Sequence, residues 1–403
     1  MKKLLIMLLA ALLVISAAAC SSEPGGNTSE SEEKEQQEAA KHKIAVLVYN
    51  RTDDEVLSFK NYLEGYIAPI FNVEFLYSES ISTQEEAMTF LENAAEFGAE
   101  GVMSFNTYDL KKEVDLCAQK GMYFILASGT VTDEAFESVA DNEYFVGEIG
   151  PGDEMEYTAG VNLTQAGLGL RDGKESYFIL SGGGFVGNEM HRLRTIGLIE
   201  AFESAYGVKL STPAEELAVS DQIVEIEEKD LRLCICPGYP TMDEEVEKAI
   251  EKYKSGDYDI VLSVLPATRI IPSLKNSKLA VIDCYSDTNE RLFANGQMSY
   301  VTGKYSSIIG PSFAAIYNAI TGHAEDFRDN GRAFHIRQGF WSSDSREDYE
   351  AKFSMASSIE KVAYNYEDLQ NVIKEFNEDA TYDDLKKLAE AYKYEDAVAR
   401  RAK

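Results

Sequence analysis

Short apolar runs in this chain end, one after another, in aromatic, amide, hydroxyl and guanidinium side chains. Tyr49, Asn50 and Arg51 close the run that starts at Ile44. Phe105, Asn106, Thr107 and Tyr108 close the run from Gly101, and Ser128, Gly129 and Thr130 follow Ala127. Further on, Gly182 to Asn188 with Arg194, Pro237 to Tyr239, Pro266 to Arg269, and Tyr285 to Asp287 stand in the same relation to later runs. These residue types suit the holding of a small polar molecule. Flat aromatic faces cover C–H surface, and fixed donors and acceptors meet hydroxyl groups. Tyr49, Phe105, Tyr108, Phe185, Tyr239 and Tyr285 offer faces, and Asn50, Asn106, Asn188 and Arg194 offer hydrogen bonds. Ser128 and Thr268 complete the candidate ligand-binding set. A guanidinium grips paired hydroxyls or a carboxylate with two parallel bonds. The competing account is strand-end packing for each aromatic, and a helix-surface salt bridge for Arg194.

Catalytic patterns are missing. No Gly-x-Ser-x-Gly elbow precedes a helix, and no Cys–His pairing stands out. Ser181-Gly182-Gly183-Gly184 lacks the Lys-Ser/Thr ending of a phosphate loop and the spacing of a dinucleotide fingerprint, so it reads as a tight strand-to-helix turn. The four histidines (His42, His191, His323, His335) and five cysteines show no metal-ligand spacing. No enzyme activity, metal or cofactor is expected. Cys117, Cys234, Cys236 and Cys284 read as buried free thiols.

The elements that position the candidates alternate. Strands are expected at Ile44–Tyr49, Val73–Tyr77, Gly101–Phe105 and Met122–Ala127. Helices are expected at Asp53–Ala68, Ser82–Phe97 with Thr83 as N-cap, and Asp109–Lys120. A second series follows Gly150: helix Asp153–Leu170, strand Ser176–Leu180, helix His191–Tyr206, strand Leu231–Cys236, helix Met242–Tyr253, strands Ile260–Leu265, Leu279–Cys284 and Ser299–Thr302, and helix Tyr305–Ile320. Residues 211–229 look like an insertion. Beyond them come a strand at Ala333–Phe340 and amphipathic helices at Glu367–Phe376 and Tyr382–Arg400, which read as a packing appendage. Alternation of this kind implies parallel sheets with helices on both faces, and ligands of such sheets bind beyond the carboxyl ends of the strands.

Charge narrows the partners. The formal net charge is −31, which repels nucleic acid and anionic lipid, so neither is expected as a direct partner. The N-terminus points outside the cytoplasm. Lys2 and Lys3 precede an apolar run from Leu4 to Val14, then small residues and Cys20, the layout of a secretory signal over 1–19. Ala17-Ala18-Ala19-Cys20 resembles a bacterial lipobox, with Ala17 where such boxes more often carry Leu. That resemblance implies a lipid anchor through Cys20 and a location on the extracytoplasmic face of the cell membrane. Residues 20–42 are polar and read as a flexible tether.

The two series together resemble the type I periplasmic-binding-protein family of ribose- and galactose-binding proteins. The resemblance rests on Ile44-Ala-Val-Leu-Val, on Glu85 to Val102, on Gly121-Met-Tyr-Phe-Ile, on Asp153 to Leu170, on Arg194-Thr-Ile-Gly197-Leu198 and on Gly303 to Gly322, covering roughly residues 43–322. It implies an α/β fold of two Rossmann-like lobes with parallel sheets, joined by a hinge of about three crossing segments. The first lobe would comprise 43–150 and 301–322, the second 151–300, with 323–403 as an extension. It also implies a ligand-binding role for Arg194, and delivery of a sugar or related solute to an ABC permease by hinge closure. The alternatives are a sensory lipoprotein signalling to a membrane receptor or kinase, a nucleoside-type binder, and an extracellular enzyme. The chain departs from sugar-binding relatives in three places. Ser128-Gly129 replaces their Asp-Arg, Leu265-Pro266-Ala267-Thr268 their Asn-Asp, and Asp283-Cys284-Tyr285 their Gly-Phe-Asp. The departures point to a ligand with fewer hydroxyls than a pentose or hexose: a nucleoside, a carboxylated molecule or a peptide-like signal.

Overall fold

The computed structural model describes residues 41–170, 176–274 and 276–402. The expected signal peptide, Cys20 and most of the tether lie outside them. Thirteen strands follow in chain order: β1 (His42–Leu47), β2 (Val73–Tyr77), β3 (Gly101–Ser104), β4 (Tyr123–Ala127), β5 (Phe145–Gly150), β6 (Ser176–Ser181), β7 (Val224–Glu228), β8 (Leu231–Pro237), β9 (Ile260–Ser263), β10 (Lys278–Cys284), β11 (Met298–Lys304), β12 (Phe334–Arg337) and β13 (Trp341–Ser343). They form two sheets, ordered β12-β5-β4-β3-β1-β2 and β13-β11-β10-β9-β6-β8-β7. The first is parallel throughout. The second is parallel except for its two edges, where β7 and β13 run antiparallel.

The main helices are α1 (Asp54–Tyr62), α2 (Gln84–Glu96), α3 (Leu110–Lys120), α4 (Gly152–Gly169), α5 (Glu189–Tyr206), α6 (Asp243–Ser255), α7 (Asp287–Ala294), α8 (Gly310–Asn318), α9 (Arg346–Ala356), α10 (Tyr366–Gln370), α11 (Tyr382–Glu390) and α12 (Tyr394–Arg401). Local chemistry starts and stops them. Thr83 and Glu86 form a capping box at α2, Asp53 and Asp109 cap α1 and α3, and Gly121 turns left-handed to end α3. Residues 44–47 of β1 are wholly buried, as a strand sandwiched between helix layers must be. Two glycines set the close approach of α4 to α5. A Cβ on Gly160 would fall 1.9 Å from the Arg194 carbonyl oxygen, and one on Gly197 2.2 Å from that of Tyr157.

Several expectations need correction. β5 was not anticipated, because Gly147 and Glu148 interrupt its apolar run; Glu148 is buried and forms an ion pair with His335 of β12. The polar α7, capped by Ser286, was also missed. Residues 211–229 hold a short helix, Ala214–Ala218, and the edge strand β7. The helix expected at 367–376 stops at Gln370, because Asn318 takes the Val372 carbonyl (2.9 Å) and the Lys374 amide (2.8 Å). The helix expected over 382–400 is cut in two at Ala391–Lys393. There the Tyr392 carbonyl accepts from the Trp341 indole (2.8 Å) and the Tyr305 hydroxyl (2.9 Å).

Residues beyond 322 are not an appendage. β12 completes the first sheet, β13 edges the second, and α11 packs on β12 and α8. The second-to-first-lobe boundary expected near 301 also moves, since all of β11 belongs to the second sheet. The chain therefore passes between lobes at 150–152, 304–306, 337–341 and 356–365, four passages where about three were expected. Aromatic rings bind these passages together. Trp341 is 2% exposed and stacks on Tyr305 with ring centroids 3.8 Å apart. Within the second lobe Tyr285 stacks on Tyr349 at 5.0 Å, and at the 356–365 passage the Tyr364 carbonyl accepts from the Tyr62 hydroxyl of the first lobe at 2.8 Å. Trp341→Ala is expected to lower stability by about 3–5 kcal/mol, read as a fall in the urea unfolding midpoint; a loss below about 1 kcal/mol would show that this clasp is dispensable.

Candidate functional site

A cavity of about 210 Å³ lies where the two lobes meet. Asn50, Thr52, Asp53 and Asp54 line it from the loop after β1 and the start of α1. Thr268, Arg269 and Asp283, with Pro240, Thr241 and Pro266, line it from the carboxyl ends of the second sheet. This is the edge at which parallel sheets place ligands.

Asp53 joins the walls. Its Oδ1 accepts from the Glu55 amide (2.9 Å) and the Tyr49 hydroxyl (3.2 Å), capping α1. Its Oδ2 accepts from the Tyr239 hydroxyl (2.9 Å), which reaches across from the second lobe. A second bridge lies beside it, where Lys304 Nζ donates to Glu55 Oε1 at 3.2 Å. Asp283, at the end of β10, accepts from Asn289 Nδ2 at 2.9 Å. Four carboxylates, Asp53, Asp54, Glu55 and Asp283, thus share this region with Lys304 and Arg269. Burial, and then the Glu55 charge, push Asp53 up to about 6, against hydrogen bonds from Tyr239, the Glu55 amide and Tyr49 that pull it down. Burial and the Asp53 charge push Asp283 up to about 8. At neutral pH Asp53 is chiefly an acceptor, while Asp283 retains a proton to donate.

A second polar chain crosses the cleft. Thr130 Oγ1 donates to Glu156 Oε1 at 3.3 Å. Glu156 Oε2 accepts from Arg194 Nε at 2.5 Å, and Arg194 Nη1 donates to the Val264 carbonyl at 3.1 Å. Arg194 is 6% exposed, and Phe340 lies against its guanidinium with the ring centroid 5.6 Å away. His191, on the same helix, stacks on Tyr239 and is pushed down to about 3 by burial and by the Arg194 and Lys304 charges, so it is neutral.

The sequence candidates divide. Tyr49 and Tyr239 meet at Asp53, and Asn50 and Thr268 line the cavity. Ser128, just after β4, is buried with a left-handed φ of 67° and a hydroxyl lacking a partner, and does not line the cavity. Asn106 offers its carbonyl to the Ser104 hydroxyl. Phe105 is a core residue, edge-on to Phe59 at 5.0 Å. Tyr285 is likewise buried, its hydroxyl hydrogen-bonded to Ser343. The Tyr108 hydroxyl is taken by the Ile81 carbonyl within the first lobe. Asn188 caps α5 by accepting from the Met190 amide at 2.9 Å. The Phe185 side chain lies outside the described residues. Sequence reasoning missed Asp53, Glu55, Glu156 and Lys304, and met Asp283 only as a departure from sugar binders. The signal for Asp283 and Lys304 was present: each is an ionisable residue closing an apolar strand run, LAVID and SYVTGK. Among the described residues no group of three or more His, Cys, Asp or Glu side chains is placed to hold a metal ion.

No protein-family model matches the chain, and no curated protein matches it. Solved structures do. A sugar ABC transport system substrate-binding protein from Bordetella parapertussis is 15% identical, with a TM-score of 0.56, covering 79% of this chain and 94% of that one. A carbohydrate transporter from Acidothermus cellulolyticus in complex with myo-inositol is 16% identical, with a TM-score of 0.55, covering 79% and 98%. A Mycobacterium smegmatis protein in complex with β-D-fucofuranose is 10% identical, with a TM-score of 0.56, covering 78% and 97%. At these identities the likeness is one of fold. The fold is the two-lobed type I periplasmic-binding-protein fold.

Two outcomes follow from the site. A carboxyl whose pKa is raised by folding favours the folded state most below its unfolded value near 4, and that contribution is lost as pH rises through the folded value. For Asp53 and Asp283 the loss runs from about 4 to about 6 and about 8 respectively. The thermal stability of Asp283→Asn relative to the parent is therefore expected to improve steadily from about pH 5 to about pH 8; a pH-independent offset would mean that Asp283 ionises as an ordinary carboxyl. Ser128→Gly is expected to keep or raise stability by up to about 1 kcal/mol, while Ser128→Val lowers it by about 2 kcal/mol in thermal unfolding.

Proposed function

We propose that the protein is an extracytoplasmic solute-binding protein, lipid-anchored through Cys20, that takes a small polar ligand, a sugar or a related molecule, between its lobes and delivers it to an ABC permease by hinge closure. The observation that carries this reading is the inter-lobe cavity bordered by two cross-lobe contacts, Tyr239 to Asp53 and Lys304 to Glu55. Both contacts form only when the lobes are together, so they act as latches. A ligand that adds hydrogen bonds to both walls shifts the equilibrium toward that closed arrangement.

The cavity walls suit hydroxyls. Asp53 accepts, protonated Asp283 donates, and Asn50, Thr52 and Thr268 do either. Glu156 occupies Arg194, so it binds ligand only through the atoms that this ion pair leaves open. The neighbours in fold are named as sugar and carbohydrate binders, which supports the same class here. Among the described residues no helix is long and apolar enough to cross a membrane; in this reading the membrane attachment comes from Cys20.

Thermal unfolding against monosaccharides, cyclitols, nucleosides and amino acids tests the binding role. A ligand at about a hundred times its dissociation constant adds about 2.7 kcal/mol of stability. Asp53→Ala is expected to weaken that ligand by about ten- to a hundredfold, the range for hydrogen bonds to a charged group. Failure of every compound class to stabilise the folded protein would sink the reading. Anchoring has its own readout: radiolabelled palmitate should enter the membrane-bound protein and be lost in Cys20→Ala.

A further inference from the structure

Next to the polar cavity, the second lobe holds an apolar one. Its walls are Leu180 at the end of β6, Val246, Ala249 and Ile250 on α6, and Leu265 and Ile270 after β9. Its free volume is about 30 Å³. Pro240, Pro266 and Arg269 border both cavities, so the two share a wall. Tyr239 lines the apolar one as well, and its hydroxyl is the group bonded to Asp53. Arg269 is the single charged residue of the lining, and its guanidinium is taken up by Asp243 (2.7 Å), Glu247 (3.3 Å) and the Pro240 carbonyl (3.1 Å).

A cavity this poor in polar partners holds water badly. Its size admits a methyl or a similarly short alkyl group, whereas a benzene-sized guest needs about 150 Å³. Its lining comes from residues at and just after the carboxyl ends of β6, β8 and β9, the edge at which parallel sheets take up ligands. A purely hydroxylated ligand would leave this compartment unused, or would bury a hydroxyl there without a partner.

We propose that the site selects a polyol with a methyl terminus, a deoxy sugar in chemical class, whose hydroxyls face Asp53 and Asp283 and whose methyl enters the apolar compartment between Ala249 and Leu265. The proposal rests on the solute-binding reading and specifies its ligand. Ala249 is the smallest side chain on the α6 wall of the compartment.

Calorimetric titration of the full chain with matched pairs tests it: L-fucose against L-galactose, D-fucose against D-galactose, and L-rhamnose against L-mannose. At least one 6-deoxy sugar is expected to bind about tenfold or more tighter than its 6-hydroxyl partner, the discrimination typical of an apolar pocket. Ala249→Leu fills the compartment and is expected to bring that ratio down to about one. If that variant does not fold, Ala249→Val makes the same test with a smaller intrusion, and the ratio in the unaltered protein stands independently of either. Equal binding within every pair, tighter binding of the hydroxylated partners, or a ratio untouched by the Ala249 variants overturns the proposal while leaving the solute-binding reading in place. Binding by none of the sugars in the pairs, with stabilisation by another compound class, overturns this specificity alone. Binding by nothing at all removes both.

Discussion

The carboxylate of Asp53 is the group on which the site turns. It caps α1 from one side, receives Tyr49 from its own lobe and receives Tyr239 from the other. One side chain thus fixes a helix start, a loop conformation and the approach of two lobes. Such a carboxylate is best satisfied when it is ionised and fully hydrogen-bonded, yet burial and Glu55 press it toward neutrality. The lobes meet around a residue held between these two demands. That makes their contact responsive to whatever else enters the cavity.

The rest of the architecture limits how the lobes move about that contact. Here aromatic residues pack against the crossings, with Trp341 stacked on Tyr305 and the Tyr62 hydroxyl donating to the backbone carbonyl of Tyr364. β12 and β13 tie the C-terminal segment to opposite sheets. A hinge packed this densely bends through few routes, since close-packed side chains resist continuous deformation. The excess of acidic over basic side chains in the cleft works in the opposite sense and loosens the closed arrangement as the carboxyls ionise.

Much of this was legible in the sequence, and the reasons differ by region. The strands IAVLV, VEFLY and YFILA were plain because burial on both faces demands unbroken apolar runs. The α2 boundary was plain because Thr83 and Glu86 speak for themselves at three-residue spacing. β5 was not, because a buried ion pair with His335 compensates Glu148 from a strand almost two hundred residues away. The C-terminal helices broke where Asn318 and Trp341 compete for backbone groups, a tertiary event that no local pattern encodes. The site shows the same divide. Tyr49, Asn50, Tyr239 and Thr268 followed from the strand-end rule, whereas Phe105 and Tyr285 satisfied that rule and turned inward. Position along a strand says which residues reach the cleft edge. It does not say which way each side chain faces once the neighbouring lobe has been added.

The stacked indole at the hinge has a use unconnected with stability. The chain contains one tryptophan, and it opens β13 at the edge of the second sheet, with Tyr305 against its face and its N–H on the Tyr392 carbonyl. The stack and the hydrogen bond both lie at a passage between the lobes, where a rotation of one against the other is taken up. Ultraviolet emission from this single fluorophore is therefore a native optical gauge of lobe motion, already installed at the fulcrum and free of background from any other indole.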